Sequence, residues 1–439
     1  MCDAGAHGGK STHDHSSVSP RMPSSLSWWQ QRLTSADAVA PAAPTELLHQ
    51  HHWDYIVIGS GLAGVSTAFF LAKNQQTQAQ QASILVLERR SGVASGATGR
   101  NGGHLWPKPH DHGDALAADF EERGVEEMLA WLRQQGPNVE AWCEVQRGGS
   151  LELASTSEEQ REYEMLLGNL ARSHGQTSKD VEWWSKERCQ SVTKSDYFYG
   201  ALYHRRAGSL NPLRLTCALA QHAQRLGVHF HYNSEALSVA SVDAKQKVTA
   251  KLHQNGAVVE LHAKHAAIIC CNAWAPKILP ELADIIMPER NQVMMTAPIG
   301  RSVFGCEGFC AENENLYGIQ RRDGRICFGG IPDYREDAQE HTDADNYILP
   351  HIGHRLQQYL RTRFPEALGE SLVVEEEWSG VLANTPDSKP LVGVARKRAD
   401  DALRGAIVLV GVGFNGNGMS QCFGAGKALG MQRVVTERR

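Results

Sequence analysis

The fold of this chain is decided by residues 55–64, which read Tyr55-Ile56-Val57-Ile58-Gly59-Ser60-Gly61-Leu62-Ala63-Gly64. The residues before the first glycine are apolar and mostly β-branched, which predicts a short strand buried on both faces. After Gly64 the apolar residues recur at helical spacing, and a second apolar run, residues 83–87, ends at Glu88. The sequence therefore predicts a strand, a glycine turn, a helix and a second strand in succession.

This succession is the context in which a glycine-rich turn binds a dinucleotide. Gly59 permits the tight turn, Gly61 lets the backbone approach a pyrophosphate, and Gly64 lets the helix and strand pack closely. The helix N-terminus presents N–H groups and a partial positive charge to the phosphates. The candidate cofactor-binding residues of this region are Gly59, Ser60, Gly61, Leu62, Ala63, Gly64, Glu88 and Arg89.

Glu88 stands at the end of the second predicted strand, where its carboxylate can accept hydrogen bonds from ribose hydroxyls. It lies later in the sequence than the usual interval of about 20 residues after the glycines. The Gln-rich stretch 74–82 accounts for the excess as an enlarged surface loop. The alternative is an ordinary glycine-rich α/β turn, but the strand, helix, second strand and acid together favour dinucleotide binding.

Two further glycine-rich segments are candidates for contact with the same ligand. Residues 91–104 contain five glycines among fourteen residues, so a regular helix or strand is not expected there. Such a loop lets the backbone come close to something flat or charged. Near the other end of the chain, a predicted buried strand over 406–410 leads into the glycine turn 411–418 and then a helix. A ligand that meets both segments is long, which favours a dinucleotide.

The composition bounds the class of protein. At 439 residues, the chain is long enough for two or three domains or for one large composite domain. Its net charge of −5 argues against a general nucleic-acid binder, which is usually basic. The ten cysteines follow no zinc-binding spacing and no secretory context is recognisable, so a reducing, cytoplasmic location is expected. No apolar run reaches the roughly 18 residues of a membrane span.

Residues 1–50 are rich in Ser, His, Ala and Pro and show little periodicity. They lack the apolar core of a signal peptide and match a transit peptide poorly, which leaves organelle targeting as the less favoured alternative. We expect a mobile or loosely docked arm. The stretches His13-Asp14-His15 and His110-Asp111-His112 have no further ligands at metal-site spacing, so no metal site is expected.

Several local signals mark the ends of predicted elements. Asn211 and Pro212 predict the start of a helix, which Gly227 ends. The pair Asp323-Gly324 predicts a hairpin turn between two strands. Pro350 should break a helix or begin a new one.

Together these motifs resemble the FAD-dependent D-amino-acid oxidase-like oxidoreductases. The resemblance runs from about Trp53 to Met431, and the loop is most similar to the γ-glutamylputrescine oxidase and glycine/sarcosine oxidase branch. The motifs that carry it are IGSGLAG (58–64), Glu88, GATGRNGG (96–103), GSLNP (208–212), CCNAWAP (270–276), RNQV (290–293), DGRICFGG (323–330), TPDSKPLVG (385–393) and GFNGNGM (413–419).

The resemblance implies an α/β fold: a Rossmann-like FAD-binding domain and an α+β substrate domain with a discontinuous antiparallel sheet. The implied divisions are an N-terminal arm over 1–50, an FAD-binding domain over 51–284 and 379–439, and a substrate domain over 285–378. Further FAD contacts are implied at Thr98, Gly99, Arg100, Asn101, Gly102, Gly103, Gly413, Phe414, Asn415, Gly416 and Gly418.

The implied chemistry is oxidation of a C–N bond in a small amine or amino acid. A hydride equivalent passes to flavin N5, the imine hydrolyses, and oxygen or another acceptor reoxidises the flavin, with hydrogen peroxide formed from oxygen. Relatives in this family attach the flavin covalently at positions that correspond to Gly380 and Arg100. Neither residue can form such a bond, so FAD is expected to be held non-covalently.

Two residues are candidates for the catalytic site. His104 follows the glycine loop, so its imidazole could hydrogen-bond the reacting amine; a packing role is the alternative. Arg321 could clamp a substrate carboxylate, and the alternative is a turn residue beside Asp323. The alternative functions are a dehydrogenase that passes electrons to a quinone or carrier protein, a nicotinamide-binding protein without flavin, and a non-catalytic flavoprotein scaffold.

Overall fold

The computed structural model describes residues 26–33, 43–44, 46, 48, 52–75, 82–107, 115–173, 180–242, 245–253, 256–312, 315–331, 339–369, 372–396 and 407–431. The two His-Asp-His stretches and the centre of the Gln-rich stretch lie outside these residues. The helices are α1 (Trp28–Gln31), α2 (Leu62–Gln75), α3 (Ala115–Gln134), α4 (Pro137–Trp142), α5 (Ser157–Ser173), α6 (Lys186–Thr193), α7 (Pro212–Arg225), α8 (Ala275–Ile278), α9 (Pro350–Arg363) and α10 (Gly418–Met431). The strands are β1 (His52–Ile58), β2 (Ile84–Leu87), β3 (His104–Leu105), β4 (Ser150–Ala154), β5 (Val181–Ser185), β6 (Gly200–His204), β7 (Gly208–Ser209), β8 (Val228–His231), β9 (Ser234–Val242), β10 (Lys245–Leu252), β11 (Val258–Ile269), β12 (Met287–Thr296), β13 (Gly308–Ala311), β14 (Leu316–Gln320), β15 (Ile326–Gly330), β16 (Val374–Asn384), β17 (Leu391–Arg396) and β18 (Ile407–Val412).

The first sheet has the strand order β17-β18-β11-β1-β2-β8, and the strands from β18 to β8 run parallel. β17 pairs antiparallel with β18, and β9 and β10 continue antiparallel from β11. β1 lies inside the sheet: Tyr55 and Val57 pack into the core on one face, and Ile56 and Ile58 into the core on the other. The predicted strand buried on both faces is confirmed.

The helix that follows the first glycine turn meets the last helix of the described chain. α2 begins directly after the glycine turn and packs against α10, the last helix of the described chain. A Cβ atom at Gly426 would lie 2.3 Å from Ser66 Cβ, and one at Gly430 would lie 2.6 Å from Phe70 Cβ. These two glycines are one helical turn apart, so together they let α10 approach α2 closely along one face.

The second sheet has the order β16-β12-β15-β14-β13-β4-β6-β5. Its neighbouring strands are antiparallel except for β13 and β4, which are parallel. The combination confirms the predicted α/β fold with a second, largely antiparallel sheet. The sheet is wider than expected, because β4, β5 and β6 come from residues 150–204 rather than from 285–378. These strands have five residues each, and β4 joins β13, which is distant in sequence, so a local pattern does not reveal them. The domain limits remain a prediction.

The N-terminal segment 26–33 is docked, which corrects the expectation of a loose arm for this stretch. Trp28 and Trp29 of α1 are buried, and Ser27 caps the helix. Ser27 Oγ donates a hydrogen bond to Gly99 O at 2.5 Å, and Trp29 Nε1 donates one to Asn101 O at 2.8 Å. A four-residue helix has no periodicity to detect, and its binding depends on a distant loop.

Other local predictions hold. Asn211 Oδ1 accepts a hydrogen bond from Arg214 N at 3.1 Å, Pro212 is the first residue of α7, and Gly227 has a φ of +90° after its end. α9 begins at Pro350. Within the described residues, no helix combines the length and the apolarity needed to cross a membrane.

Candidate functional site

A long cleft, which we call the cofactor cleft, opens where β1 and β2 end, at the carboxyl edge of the parallel strands. The predicted cofactor residues that line it are Gly59, Gly61, Leu62, Ala63, Glu88, Arg89, Thr98, Asn101, Phe414, Gly416 and Gly418. The predicted residues outside its lining are Ser60, Gly64, Gly99, Arg100, Gly102, Gly103, Gly413 and Asn415.

The first glycine turn leaves no room for side chains. Gly59 has a φ of +101°, and a Cβ atom there would lie 2.8 Å from Cys270 O. A Cβ atom at Gly64 would lie 1.9 Å from Gly59 O, so this glycine closes the turn against α2. Leu62 N, at the start of the helix, donates to Thr98 Oγ1 at 3.0 Å. The turn therefore presents bare backbone and a helix N-terminus to the cleft, which suits a pyrophosphate.

Glu88 is held in place by backbone and side-chain donors. Its Oε2 accepts hydrogen bonds from Ser60 N at 3.0 Å and from Ser60 Oγ at 2.8 Å, and its Oε1 accepts one from Arg90 N at 2.9 Å. Glu88 as a residue is 9% exposed and lines the cleft. Ser60 therefore fixes the orientation of the Glu88 carboxylate.

The loop 91–104 contributes both lining residues and internal braces. Thr98 and Asn101 line the cleft. Arg100 points away from it: its Nη1 donates to Ser379 O at 2.8 Å and to Asp345 O at 3.0 Å. Arg100 was expected at the cofactor, but its buried guanidinium also pairs with the Asp345 carboxylate at 3.4 Å, so the residue braces the loop instead.

The remaining residues outside the lining are packing positions or line the neighbouring cavity described below. A Cβ atom at Gly99 would lie 2.2 Å from Ala94 O, and one at Gly103 would lie 2.0 Å from Leu210 O. Gly413, with a φ of +74°, donates its N–H to Asn272 Oδ1 at 2.8 Å. Asn415 Oδ1 accepts a hydrogen bond from Thr385 N at 2.8 Å, which fixes the C-terminal turn.

The structure also adds cleft residues that sequence reasoning did not assign to the cofactor. Trp274 lines the cleft, and the guanidinium groups of Arg89 and Arg90 lie 5.0 Å and 5.1 Å from its ring centroid. Ser234 and Ala236 line the same end, beside Glu88. Trp274 belongs to the motif CCNAWAP, so the sequence contained a signal that could have assigned it to the cleft. Ser234 and Ala236 belong to no motif, so no such signal marked them.

A second cavity, which we call the substrate cavity, has a volume of about 250 Å³ and adjoins the cofactor cleft. The residues that line both are Asn101, Leu382, Gly416 and Met419. The predicted positions Gly102, His104 and Asn415 line the substrate cavity, which Trp106 and Tyr317 wall. A Cβ atom at Gly102 would lie 2.7 Å from the Tyr317 ring, so glycine is required where the loop passes the cavity.

His104 lies on β3, where it pairs with Ser209 of β7. Its Nε2 is 2.6 Å from Ser150 Oγ, and its ring centroid is 4.7 Å from that of Trp106. Burial raises the pKa of the neighbouring Tyr317 hydroxyl above its ordinary value, so this phenol stays protonated at neutral pH. The structure therefore places His104 in the cavity, in a fixed orientation.

Arg321 does not line the substrate cavity with His104. Its Nη1 donates to Glu144 Oε2 at 2.6 Å, and its Nε donates to Asp323 Oδ1 at 3.3 Å. Its guanidinium carbon lies 4.4 Å from the Trp28 ring centroid and 4.9 Å from that of Trp29. Arg321 lines neither the cofactor cleft nor the substrate cavity. It anchors the N-terminal helix, so the structure gives no support to a carboxylate clamp at this residue.

The described residues hold no group of three or more His, Cys, Asp or Glu side chains arranged for a metal ion. Burial raises the pKa of the Cys270 thiol and of the Cys327 thiol to about 12. Both thiols are therefore protonated and unreactive at neutral pH.

The chain belongs to the DAO family of FAD-dependent oxidoreductases, because the family model matches residues 54–431. It is 26% identical over 366 residues to γ-glutamylputrescine oxidoreductase of Escherichia coli strain K12, covering 77% of this chain and 76% of that protein. It is 24% identical over 349 residues to glycine oxidase of Bacillus licheniformis, covering 78% of this chain and 84% of that protein.

Solved structures agree with the fold. Glycine oxidase from Geobacillus kaustophilus superposes with a TM-score of 0.71 at 18% identity, covering 86% of this chain and 93% of that chain. L-Proline dehydrogenase from P. horikoshii superposes with a TM-score of 0.69 at 20% identity, covering 87% of this chain and 92% of that chain.

The cofactor of the family, FAD, fits the cleft. The glycine turn offers bare backbone and a helix N-terminus for phosphates, and Glu88 offers an oriented carboxylate for a ribose. The cleft continues past Thr98 to the wall shared with the substrate cavity, as a long dinucleotide requires. A nicotinamide protein without flavin is set aside, since the chain belongs to an FAD-dependent family. The individual contacts with FAD remain predictions.

Proposed function

We propose that this enzyme oxidises the C–N bond of a small amine or amino acid, and that oxygen reoxidises its FAD. The observation that carries the proposal is the wall shared by the two cavities. Because Asn101, Leu382, Gly416 and Met419 line both, a molecule in the substrate cavity lies directly against the end of the cofactor cleft. The names of the relatives, γ-glutamylputrescine oxidoreductase and glycine oxidase, support a nitrogen-containing substrate.

When bound, FAD supplies the oxidising chemistry by accepting two electrons from the substrate. The chain supplies the surroundings. Trp106, Tyr317, Ile331 and Met419 give the cavity apolar walls, which disfavour an ammonium ion beside them. The neutral amine is the form that can release a hydride equivalent from the adjoining carbon. We propose that the His104 imidazole, which lines the cavity and is held through Ser150, hydrogen-bonds that amine.

We infer that FAD is held without a covalent bond. A Cβ atom at Gly380 would lie 3.3 Å from Arg100 Cβ, so these two positions pack against each other rather than line the cleft. Acid precipitation of the purified protein should release all of its flavin into the supernatant. Flavin that stays with the precipitate would contradict the inference. A cytoplasmic location and the absence of nucleic-acid partners remain predictions from composition.

Anaerobic reduction of the bound flavin tests the proposed function. The purified holoenzyme is mixed with amines, amino acids, N-methyl amino acids and polyamine conjugates, and flavin absorbance is followed. We expect at least one compound to bleach the flavin, and oxygen to restore the colour within seconds with release of hydrogen peroxide. Slow restoration by oxygen but fast restoration by a quinone would favour the dehydrogenase alternative. A flavin that none of these compounds reduces would favour the non-catalytic scaffold.

A further inference from the structure

The N-terminal helix α1 and its cap donate three side-chain hydrogen bonds to backbone carbonyl oxygens of the loop 91–104. The pairs are Ser27 Oγ with Gly99 O at 2.5 Å, Trp29 Nε1 with Asn101 O at 2.8 Å, and Gln30 Nε2 with Ser95 O at 3.1 Å. Because the acceptors are main-chain oxygens, these contacts depend on the backbone conformation of the loop and not on its side chains. Helix α1 therefore recognises one conformation of the loop.

The same loop contributes to the cofactor cleft. Thr98 and Asn101 line the cleft, and Thr98 Oγ1 accepts a hydrogen bond from Leu62 N at 3.0 Å, at the helix N-terminus that suits a pyrophosphate. Among the described residues, those that line the cleft include none from α1. Any effect of α1 on the cofactor must therefore pass through the loop.

The second sheet also holds α1. The guanidinium carbon of Arg321, directly after β14, lies 4.4 Å from the Trp28 ring centroid and 4.9 Å from that of Trp29. On β16, Glu376 Oε2 accepts a hydrogen bond from Gln31 Nε2 at 3.1 Å. Helix α1 therefore joins the second sheet to the glycine-rich loop.

The loop has little regular structure of its own. Within residues 91–103, all of which the structure describes, the regular element is the three-residue 3₁₀ turn Ala97–Gly99. Glycine loses more conformational freedom on ordering than any other residue, and the loop has five glycines among fourteen residues. Contacts from outside the loop must offset this cost. Helix α1 provides three of them, and a cofactor in the cleft would provide more.

We propose that docking of α1 and binding of FAD are coupled: α1 holds the loop 91–104 in the conformation that binds FAD, and bound FAD holds α1 on the loop. The coupling is reciprocal, because two linked equilibria change each other by the same factor. A contact of equal strength in the apoprotein and the holoprotein would change stability but not the affinity for FAD. The proposal concerns the cofactor and not the substrate, so it does not depend on the proposed amine oxidation.

Two helix caps provide a matched pair of substitutions. Ser27 caps α1 and binds the loop, whereas Ser185 caps α6, where its Oγ accepts a hydrogen bond from Arg188 N at 3.4 Å. Apoprotein is titrated with FAD, and the quenching of flavin fluorescence gives Kd. Ser27→Ala should raise Kd roughly three- to tenfold, because the loop loses a donor and α1 loses its cap. Ser185→Ala loses a cap of the same kind and should leave Kd at the wild-type value.

Trp29→Phe is the second variant for the same titration. It keeps an aromatic ring and leaves the cap of α1 intact, but it removes the hydrogen bond to Asn101 O. We expect Kd to rise by a factor similar to that in Ser27→Ala. Thermal unfolding of each apoprotein checks that the variant is folded.

Limited digestion with trypsin measures the other half of the coupling. Arg32 is the C-cap of α1, so cleavage after it requires α1 to detach. When detachment is fast relative to cleavage, the cleavage rate follows the population of the detached form. Bound FAD should therefore slow cleavage at Arg32, as followed by mass spectrometry, and this protection should be smaller in Ser27→Ala than in the wild type.

The outcomes are decided without a substrate, so they are independent of the proposed amine oxidation. A folded Ser27→Ala apoprotein with the Kd of the wild type would overturn the coupling. Equal cleavage at Arg32 with and without FAD would overturn it as well. An equal rise in Kd in Ser185→Ala would assign the effect to a general loss of stability and would also count against the proposal.

Discussion

Replacement of Glu88 by glutamine is the sharpest perturbation of the cofactor cleft. One carboxylate oxygen holds Ser60 through two hydrogen bonds of 3.0 Å and 2.8 Å, and the other accepts from Arg90 N at 2.9 Å. Glutamine has one acceptor oxygen, so the variant loses either the Ser60 or the Arg90 contact. It also offers no negative charge to a ribose hydroxyl.

The expected loss in FAD binding is one charge-assisted hydrogen bond, roughly 1.5–3 kcal/mol, which raises Kd about ten- to 150-fold. The assay titrates apoprotein with FAD and follows the quenching of flavin fluorescence, while thermal unfolding of the apoprotein checks that the variant folds. Glu260→Gln, at a surface ion pair with Lys247, is the control and should leave Kd within about twofold. A folded Glu88→Gln apoprotein with the Kd of the wild type would refute the assignment of Glu88 to the ribose.

Three further predictions concern single residues. Trp29→Phe removes the hydrogen bond to Asn101 O, so the free energy of unfolding of the holoprotein should fall by about 1 kcal/mol and FAD should be retained less well. Unaltered stability and FAD retention would mean that the N-terminal helix does not support the loop. Arg321→Gln should lower the free energy of unfolding by roughly 2–4 kcal/mol, because it breaks the contact with Glu144 and the stacking on the tryptophans, and it should leave the Kd for amines unchanged. A large rise in Kd would instead support Arg321 as a residue that binds the substrate. His104→Gln should slow flavin reduction roughly three- to tenfold with little change in the flavin spectrum. In the wild type, reduction should rise with pH as the substrate ammonium loses its proton, and the midpoint should move with the pKa of the amine; a midpoint fixed across substrates would belong to a group of the enzyme.

Features set by short-range chemistry could be predicted from the sequence. The glycine turn is one, because steric contact at Gly64 admits no side chain and the neighbouring apolar residues mark the strand and helix. The start of α7 is another, because Asn211 and Pro212 act within one helical turn. The burial of β1 on both faces also followed from its composition alone.

Features set by pairing between distant segments could not be predicted. Arg321 was a candidate clamp because a guanidinium suits a carboxylate and because the residue lies in the strand region implied by the family resemblance. Its other contacts, Glu144 and the tryptophans of α1, come from parts of the chain more than a hundred residues away. The resemblance placed Arg100 at the cofactor, whereas its Nη1 donates to Asp345 O and Ser379 O, which belong to distant segments.

The position of Glu289 and Asn291 in the substrate cavity could not be predicted for the same reason. Glu289 directly precedes the RNQV motif and Asn291 belongs to it, but the motif alone does not show which face of the strand each residue presents. The face that each residue presents depends on the register between β12 and β16, in which Glu289 pairs with Leu382 and Asn291 with Gly380. A shift of this register by one residue would direct Arg290 into the cavity and place a positive charge there.

A balance of products over one anaerobic turnover tests amine oxidation most directly. The holoenzyme is mixed with an amine that bleaches its flavin, and the carbonyl product, the released nitrogen compound and the reduced flavin are counted. Oxidation of a C–N bond predicts one carbonyl product and one released ammonia or amine for each flavin reduced, followed by one hydrogen peroxide when oxygen is admitted. Flavin reduction by a 2-hydroxy acid but by no amine, with no nitrogen released, would contradict it.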